Sequence, residues 1–114
     1  MSIERISAEA ALSQLGHFSE VIDARSEGEY AEDHLPGAVN WPSLHDEERK
    51  IVGTRYKQIS QFEAKKLGAA LVAQNIATHI LREVLDKPRE WQPLVYCWRG
   101  GKRSGSLALI LDQI

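Results

Sequence analysis

The sequence contains a single cysteine and no long apolar run. One cysteine cannot form a disulfide within the chain, and a lone cysteine is typical of a reducing compartment, where the thiol is either buried or reactive. No stretch reaches the roughly 18 consecutive apolar residues that a membrane-spanning helix needs. The first residues also lack the apolar run of a secretion signal. These absences predict a cytoplasmic protein with no membrane partner.

The net charge is small as well, −2 at neutral pH, so the domain as a whole is not a polycation. Any contact with nucleic acid must therefore come from a local patch. The chain has 114 residues, 43% hydrophobic and 26% charged, which is the size and composition of one ordinary globular domain. This balance excludes a disordered tail, and a domain of this size folds without a disulfide or a metal.

Short apolar runs alternate with helical patterns along the chain. The apolar runs predict strands at residues 21–24, 38–41 and 94–97. Capping residues and apolar periodicity predict helices over residues 7–15, 26–32 and 60–86, a short helix capped by Ser43 and Asp46, and a last helix from about residue 103. Strands separated by helices predict a parallel sheet covered on both faces. The apolar face expected on the 60–86 helix consists of Leu67, Leu71, Ile76, Ile80, Leu81, Val84 and Leu85.

The candidate functional segment begins at Cys97, the last residue of the third predicted strand. In parallel sheets, ligands bind at the carboxyl ends of the strands. The thiolate is the reactive form of cysteine, and the segment after Cys97 favours an anion in three ways. Two glycines allow a nest of backbone N–H groups, the next helix presents its positive N-terminal end, and three cations follow. The candidate anion-binding residues are Arg99, Gly100, Gly101, Lys102, Arg103 and Ser104.

The spacing from Cys97 to Arg103 leaves a second interpretation open. It is C-x5-R, which is also the spacing of protein tyrosine phosphatases and related arsenate reductases, where the arginine binds a phosphate and the cysteine attacks phosphorus. Those phosphatases usually have histidine before the cysteine, whereas this chain has Tyr96. The loop alone does not separate sulfur transfer from phosphate hydrolysis. A third alternative is a non-catalytic module that binds tRNA or a partner protein.

Two segments together resemble the signatures of rhodanese domains. Residues 21–30 followed by 34–40 resemble the first signature, and the strand 94–97 ending in cysteine resembles the second. The resemblance implies a three-layer α/β/α fold with a central parallel sheet, and a Cys97 that carries sulfur as a persulfide. We expect Asp23 and Arg25, in the first signature, to be structural residues beside the site. His34 is also interpreted as structural.

A narrower resemblance covers nearly the whole chain. Residues 97–106, 46–49, 52–57 and 64–72 resemble segments of the bacterial tRNA 2-selenouridine synthase family. The resemblance implies transfer of selenium to 2-thiouridine at the tRNA wobble position, with selenophosphate as co-substrate and no tightly bound cofactor. Trp98 is then a candidate contact to a base or a prenyl group. A locally basic segment is a candidate tRNA contact: Arg49, Lys50, Arg55, Lys57, Lys65 and Lys66.

The resemblance also implies a missing part. We expect residues 1–114 to form one rhodanese-like domain, and members of the family carry a P-loop domain after it. The sequence has no G-x-x-x-x-G-K-[ST] motif, and rhodanese domains normally add a strand after the last helix. We therefore expect a fragment of a longer two-domain protein that lacks the last strand. Because His17, His45 and His79 have no ligand spacing, we expect no metal site.

Overall fold

The computed structural model of the protein describes residues 4–97 and 102–114. The helices in these ranges are α1 (Ala8–Ser13), α2 (Glu27–Glu32), α3 (Asp46–Gln58), α4 (Gln61–Glu83) and α5 (Lys102–Leu111), and a 3-10 turn covers Leu15–His17. The strands are β1 (Glu20–Asp23), β2 (Val39–Asn40) and β3 (Pro93–Tyr96). The elements follow the predicted order, with ends that differ by a few residues.

The strands form one parallel sheet in the order β2-β1-β3. Ile22 of β1 lies beside Val39 of β2 and Val95 of β3. The predicted α/β fold with a parallel sheet is confirmed. Within the described residues, β1 is the central strand and no strand pairs with the outer edge of β3.

Two apolar cores lie on opposite faces of the sheet because side chains alternate along β1. Ile22 belongs to one core, which α4 and α5 cover with residues such as Ile76 and Leu107. Its neighbour Val21 belongs to the other, which α1 covers with Ala11. The sheet is thus the middle of three layers. Among the described residues no helix is both long and apolar enough to cross a membrane.

The helix after β2 differs from the prediction. A short helix capped by Ser43 and Asp46 was expected, but α3 has 13 residues and His45 is its N-cap. Ser43 is buried, and its hydroxyl donates to the Arg103 carbonyl oxygen at 2.9 Å. The first turn is instead closed by Glu48, whose carboxylate accepts the His45 backbone N–H at 2.9 Å. A contact between residues 60 positions apart has removed Ser43 from the capping position.

The apolar face of the long helix is narrower than predicted. α4 begins as expected, since the Ser60 hydroxyl accepts the Glu63 N–H at 3.0 Å, but Leu81 and Leu85 are 68% and 74% exposed. The residues that pack on the core lie four positions apart, at Val72, Ile76, Ile80 and Val84. Residues at this spacing form one stripe along a helix, and positions 81 and 85 lie one residue further round it. The prediction for these two leucines is wrong.

Candidate active site

The sheet brings the ends of its strands and the starts of three helices to one edge. β1 ends at Asp23, β2 at Asn40 and β3 at Tyr96, directly before Cys97. Helices α2, α3 and α5 each follow one of these strands. Because the N-terminal end of a helix carries partial positive charge, this edge of the sheet favours negatively charged groups.

The Cys97 side chain lies against the first turn of α5. Its Sγ accepts the Ser104 backbone N–H at 3.4 Å and lies 3.2 Å from the Ser104 Oγ. The cysteine is free and partly buried. One side of the sulfur thus faces a backbone N–H group, a hydroxyl and the N-terminal end of α5. Each of these groups stabilises a negative charge on sulfur.

Cys97 lines a cavity of about 590 Å³ between α1, β3 and α5. Leu12 of α1, Leu94 of β3 and Ala108 of α5 contribute apolar parts of its wall, and Arg5 contributes a cation. Cys97 is therefore part of the wall of a cavity that borders the outer edge of β3.

Arg103 makes its contacts away from this cavity. Its guanidinium donates to the Glu29 carboxylate, with Nη1 at 2.6 Å from Oε1 and Nη2 at 3.4 Å from Oε2. Glu29 also accepts from the Arg49 guanidinium at 2.8 Å and from the Ser26 hydroxyl at 2.9 Å. Partial burial raises the pKa of Glu29, but the hydrogen bonds from Arg103 and Ser26 outweigh it and lower the pKa to about 2. The carboxylate therefore stays ionised and holds both arginines at neutral pH.

The arginine and the cysteine of the C-x5-R segment line different spaces. Arg103 lines an apolar groove of about 510 Å³ between α3, α4 and α5, together with Ser106 and Leu109. Ser104, the next residue in α5, lines the cavity of Cys97. Successive residues of a helix leave it about 100° apart, and the long Arg103 side chain then extends to Glu29 of α2.

Asp23 and Arg25 form a buried ion pair beneath the site. The Asp23 carboxylate is fully buried and accepts from the Arg25 Nη2 at 2.8 Å and from the Tyr96 hydroxyl at 3.0 Å. Arg25 also donates to the Asp33 carbonyl oxygen at 2.6 Å. The hydrogen bond to Asp23 raises the pKa of Arg25, and burial raises the pKa of Tyr96. The pair thus joins the end of β1 to the start of the Cys97 segment and to the end of α2.

Sequence reasoning missed a reciprocal contact between the first turns of α2 and α3. The Asp46 carboxylate accepts the Gly28 N–H at 3.0 Å, while the Glu27 carboxylate accepts the Asp46 N–H at 3.1 Å and bonds the His45 ring at 2.9 Å. Partial burial raises the pKa of Glu27, but these bonds lower it overall. The acidic residues in the first turns of α2 and α3 are visible in the sequence, because carboxylates are favoured at helix N-termini. The sequence does not show that each carboxylate binds the first turn of the other helix.

Several predicted site residues lie outside the described part of the chain. These are Trp98, Arg99, Gly100 and Gly101. Lys102 is the first residue of α5. The candidate site is therefore built from Cys97, Ser104 and the network around Glu29, and the roles of the intervening residues stay predictions.

The rings of His34 and His79 contact backbone carbonyl oxygens. The His34 Nδ1 lies 2.8 Å from the Tyr30 carbonyl oxygen, and the two rings stack. The His79 Nε2 lies 2.7 Å from the Pro42 carbonyl oxygen, and burial lowers the pKa of His79. Within residues 4–97 and 102–114, no three His, Cys, Asp or Glu side chains are grouped to hold a metal.

Three cations of the basic middle segment form ion pairs. Arg49 pairs with Glu29, and the other two pairs form within one turn of a helix: Lys50–Glu47 at 3.3 Å and Lys66–Glu63 at 2.9 Å. The last two pairs are largely exposed, so they add little stability and can exchange their partners. The segment keeps its interpretation as a candidate tRNA contact, which these contacts do not test.

Known proteins with similar sequences point in one direction. Residues 7–113 match the family described as the rhodanese-like domain. A tRNA 2-selenouridine synthase of Nitrosomonas europaea is 45% identical over 85 residues, which cover 74% of this chain and 22% of that protein. One from Chromohalobacter salexigens is 38% identical over 105 residues, which cover 91% of this chain and 28% of that protein. The chain thus spans about a quarter of the length of these relatives.

A solved structure agrees with the sequence matches. It is the N-terminal domain of a protein named as an ATP/GTP binding protein, from Clostridium difficile 630. It superposes with a TM-score of 0.70 at 34% sequence identity, covering 96% of this chain and 84% of that chain. These similarities favour the rhodanese interpretation over the phosphatase or arsenate reductase alternative. The chain belongs to the rhodanese-like domain family.

Proposed function

We propose that Cys97 carries sulfur or selenium as a persulfide or perselenide, as part of an enzyme that converts 2-thiouridine of tRNA to 2-selenouridine. One observation supports this most: the Cys97 sulfur lies at the carboxyl end of β3, where the Ser104 N–H donates to it and the Ser104 hydroxyl lies 3.2 Å away. The membership in the rhodanese-like family supports a transferase role, and the names of the relatives support tRNA modification.

Sulfur loading needs no co-reactant beyond the donor. The Cys97 thiolate attacks the outer sulfur of thiosulfate, a new S–S bond forms, and sulfite leaves with the electron pair of the broken S–S bond. The product is a persulfide anion. We propose that Ser104 and the start of α5 stabilise this anion, with Arg99, Gly100, Gly101 and Lys102 completing the anion-binding loop.

Selenium loading has a distinct product. The Cys97 thiolate can attack the selenium of selenophosphate, so that an S–Se bond forms and the Se–P bond breaks. If the electron pair of the Se–P bond stays on phosphorus, phosphite is released and Cys97 carries a perselenide. If selenophosphate instead releases phosphate, selenium departs as selenide and no perselenide forms without an oxidant. The phosphorus product therefore tells whether Cys97 carries selenium itself.

The wider setting follows from the relatives. Since they are three to four times as long as this chain, we propose that a further segment supplies a strand for the outer edge of β3 and a P-loop domain. The tRNA would be bound by both parts, with the basic segment and Trp98 as candidate contacts here. A cytoplasmic location suits the free thiol of Cys97, which has to stay reduced to react.

A cyanolysis assay tests the sulfur step in this chain. Thiocyanate is measured after addition of thiosulfate and cyanide to the wild type, to Cys97→Ser and to Ser13→Ala, a control at an exposed serine of α1. Wild type and control are expected to form thiocyanate, and Cys97→Ser none above the reaction without protein. Full activity in Cys97→Ser contradicts the proposal. In the longer protein, loss of tRNA selenation in the same variant tests the tRNA step.

A further inference from the structure

The Glu29 carboxylate is the centre of a charged cluster that links three elements. It accepts from Arg103 of α5 at 2.6 Å, from Arg49 of α3 at 2.8 Å, and from the Ser26 hydroxyl before α2 at 2.9 Å. The side chains of Arg103 and Glu29 are only 20% and 22% exposed. An arginine that donates two N–H groups to one carboxylate forms the strongest kind of arginine–carboxylate ion pair. Partial burial reduces the screening of the Arg103–Glu29 pair by solvent.

The cluster determines where the Arg103 guanidinium lies. The guanidinium is bound to Glu29 of α2. Arg103 lines the groove between α3, α4 and α5, whereas Cys97 and Ser104 line the cavity at the edge of β3. A bidentate arginine is the group that makes a C-x5-R loop a strong phosphate site. In this structure, both Arg103 terminal nitrogens donate to a carboxylate of the protein instead.

We propose that Glu29 is a positioning residue that holds Arg103 away from anions bound beside Cys97, and so determines which anions the site retains. The inference rests on the proposed function, since it assumes that the Cys97 site accepts oxyanion donors. A phosphate that requires a bidentate arginine has to compete with Glu29 for it. A donor that reacts through its outer sulfur or selenium does not need that contact. Glu29 thus disfavours retention of inorganic phosphate without blocking transfer.

The test measures the affinity for inorganic phosphate at Cys97 itself. Phosphate is titrated while the rate of Cys97 alkylation by iodoacetamide is followed, and the concentration that halves the rate gives the Kd. Glu29→Gln keeps the size of the side chain and an acceptor for Ser26. It is expected to tighten phosphate binding about tenfold, the effect of a single freed charge-assisted contact. An unchanged or weaker affinity overturns the proposal.

A double-variant cycle separates positioning from a general charge effect. The gain in Glu29→Gln is expected to disappear when Arg103→Gln is added, because no guanidinium is left to release. A gain that persists in the double variant contradicts the proposal, since it then comes from the lost negative charge alone. Glu47→Gln is the matched control: it makes the same charge change at an exposed pair with Lys50 and is expected to leave the Kd unchanged.

A single variant keeps the test valid if Glu29→Gln does not fold. With Glu29 in place, Arg103→Gln is expected to shift the phosphate Kd less than threefold, and a tenfold weakening shows that Arg103 already binds the anion, which overturns the proposal. Persulfide formation from thiosulfate is measured by intact mass in the same samples. Absence of loading in the wild type counts against the proposed function, whereas the dependence of the phosphate Kd on Arg103 reports on Glu29 alone.

Discussion

Ser104 contacts the Cys97 side chain twice: its backbone N–H donates to Sγ at 3.4 Å, and its hydroxyl oxygen accepts from the thiol at 3.2 Å. The two residues are seven positions apart, across the glycine-containing segment that joins β3 to α5. The contact therefore fixes the sulfur at the positive end of α5. When the thiol loses its proton the hydroxyl can turn to donate, so a Cys97 thiolate has two donors from Ser104.

Ser104→Ala is expected to slow alkylation of Cys97 by iodoacetamide at neutral pH about tenfold, because one of the two donors to the charged sulfur is lost. The rate is measured by mass spectrometry on the folded protein. Ser13→Ala, at an exposed serine of α1 whose hydroxyl donates to the Ala10 carbonyl oxygen at 2.9 Å, serves as the control and is expected to react like the wild type. Equal rates in all three proteins contradict a role of the Ser104 hydroxyl.

Asp23→Asn is expected to destabilise the protein by about 3–5 kcal/mol, because it removes the buried carboxylate from a buried guanidinium and leaves Arg25 paired only with the exposed Asp33 carboxylate 3.5 Å away among the ion pairs of the described residues. The free energy of unfolding is measured with urea. Asp33→Asn is the matched control, since Asp33 lies 3.5 Å from the same arginine but its side chain is 77% exposed. A change below about 1 kcal/mol is expected there. Similar losses in both variants mean that burial of the Asp23 pair is not the cause.

Protein stability is expected to depend on Glu29 at acid pH. Its pKa is about 2 in the folded state against an ordinary value of 4.5. Between pH 4.5 and about 2, Glu29 therefore binds a proton more readily in the unfolded chain than in the folded protein. The contribution of Glu29 is complete above about 4.5 and is lost as the pH falls towards 2. It is of the order of 2 kcal/mol once the 22% exposure of the side chain is taken into account.

Urea unfolding of the wild type and Glu29→Gln between pH 2 and 6 checks this expectation. The wild type should lose its advantage over the variant as the pH falls through the window. For Glu47→Gln, which removes a carboxylate that is 80% exposed, the difference from the wild type should stay nearly constant. A constant difference for Glu29→Gln as well shows that the Arg103 pair does not stabilise the folded state.

Two Gly→Ala substitutions are expected to have opposite effects on stability. A Cβ at Gly28 would lie 3.1 Å from the Asp46 carboxylate that accepts the Gly28 N–H, so the alanine displaces this cap. The expected loss is about 1 kcal/mol. At Gly53, inside α3, a Cβ meets nothing within 4 Å. Alanine there should stabilise by about 0.5–1 kcal/mol through helix propensity. The melting temperatures of both variants are measured by thermal unfolding. Shifts of the same sign in both variants contradict a stabilising contact between Gly28 and Asp46.

Local patterns predicted most of the fold. The apolar runs at β1 and β3 are strands because both faces of the sheet are covered, and Ser7, Ser26 and Ser60 each precede a helix where capping rules place them. The start of α3 was missed because Ser43 is buried against the Arg103 carbonyl oxygen, a contact that no local rule contains. The exposed Leu81 and Leu85 were misplaced because hydrophobicity alone does not determine which side of α4 meets the sheet.

The candidate site was predicted in part. The position of Cys97 at a strand end and of Ser104 in the next helix follows from sequence, because parallel strands place their carboxyl ends at a shared edge. The partner of Arg103 did not follow, since Glu29 lies 74 residues earlier in the chain. Capping rules place Glu29 only at the start of α2, and its second role depends on how α2 and α5 approach each other.

The intact mass of the protein after incubation with thiosulfate, and separately with selenophosphate, tests the central claim most directly. Wild type and Cys97→Ser are compared, and sulfite, phosphite and phosphate are quantified in the same samples. We predict that the wild type gains one sulfur or selenium atom and that Cys97→Ser gains none. The donor that loads better distinguishes a selenium carrier from a general sulfurtransferase. No adduct from either donor on a folded wild type, or an equal adduct on Cys97→Ser, contradicts the assignment of Cys97 as the chalcogen carrier.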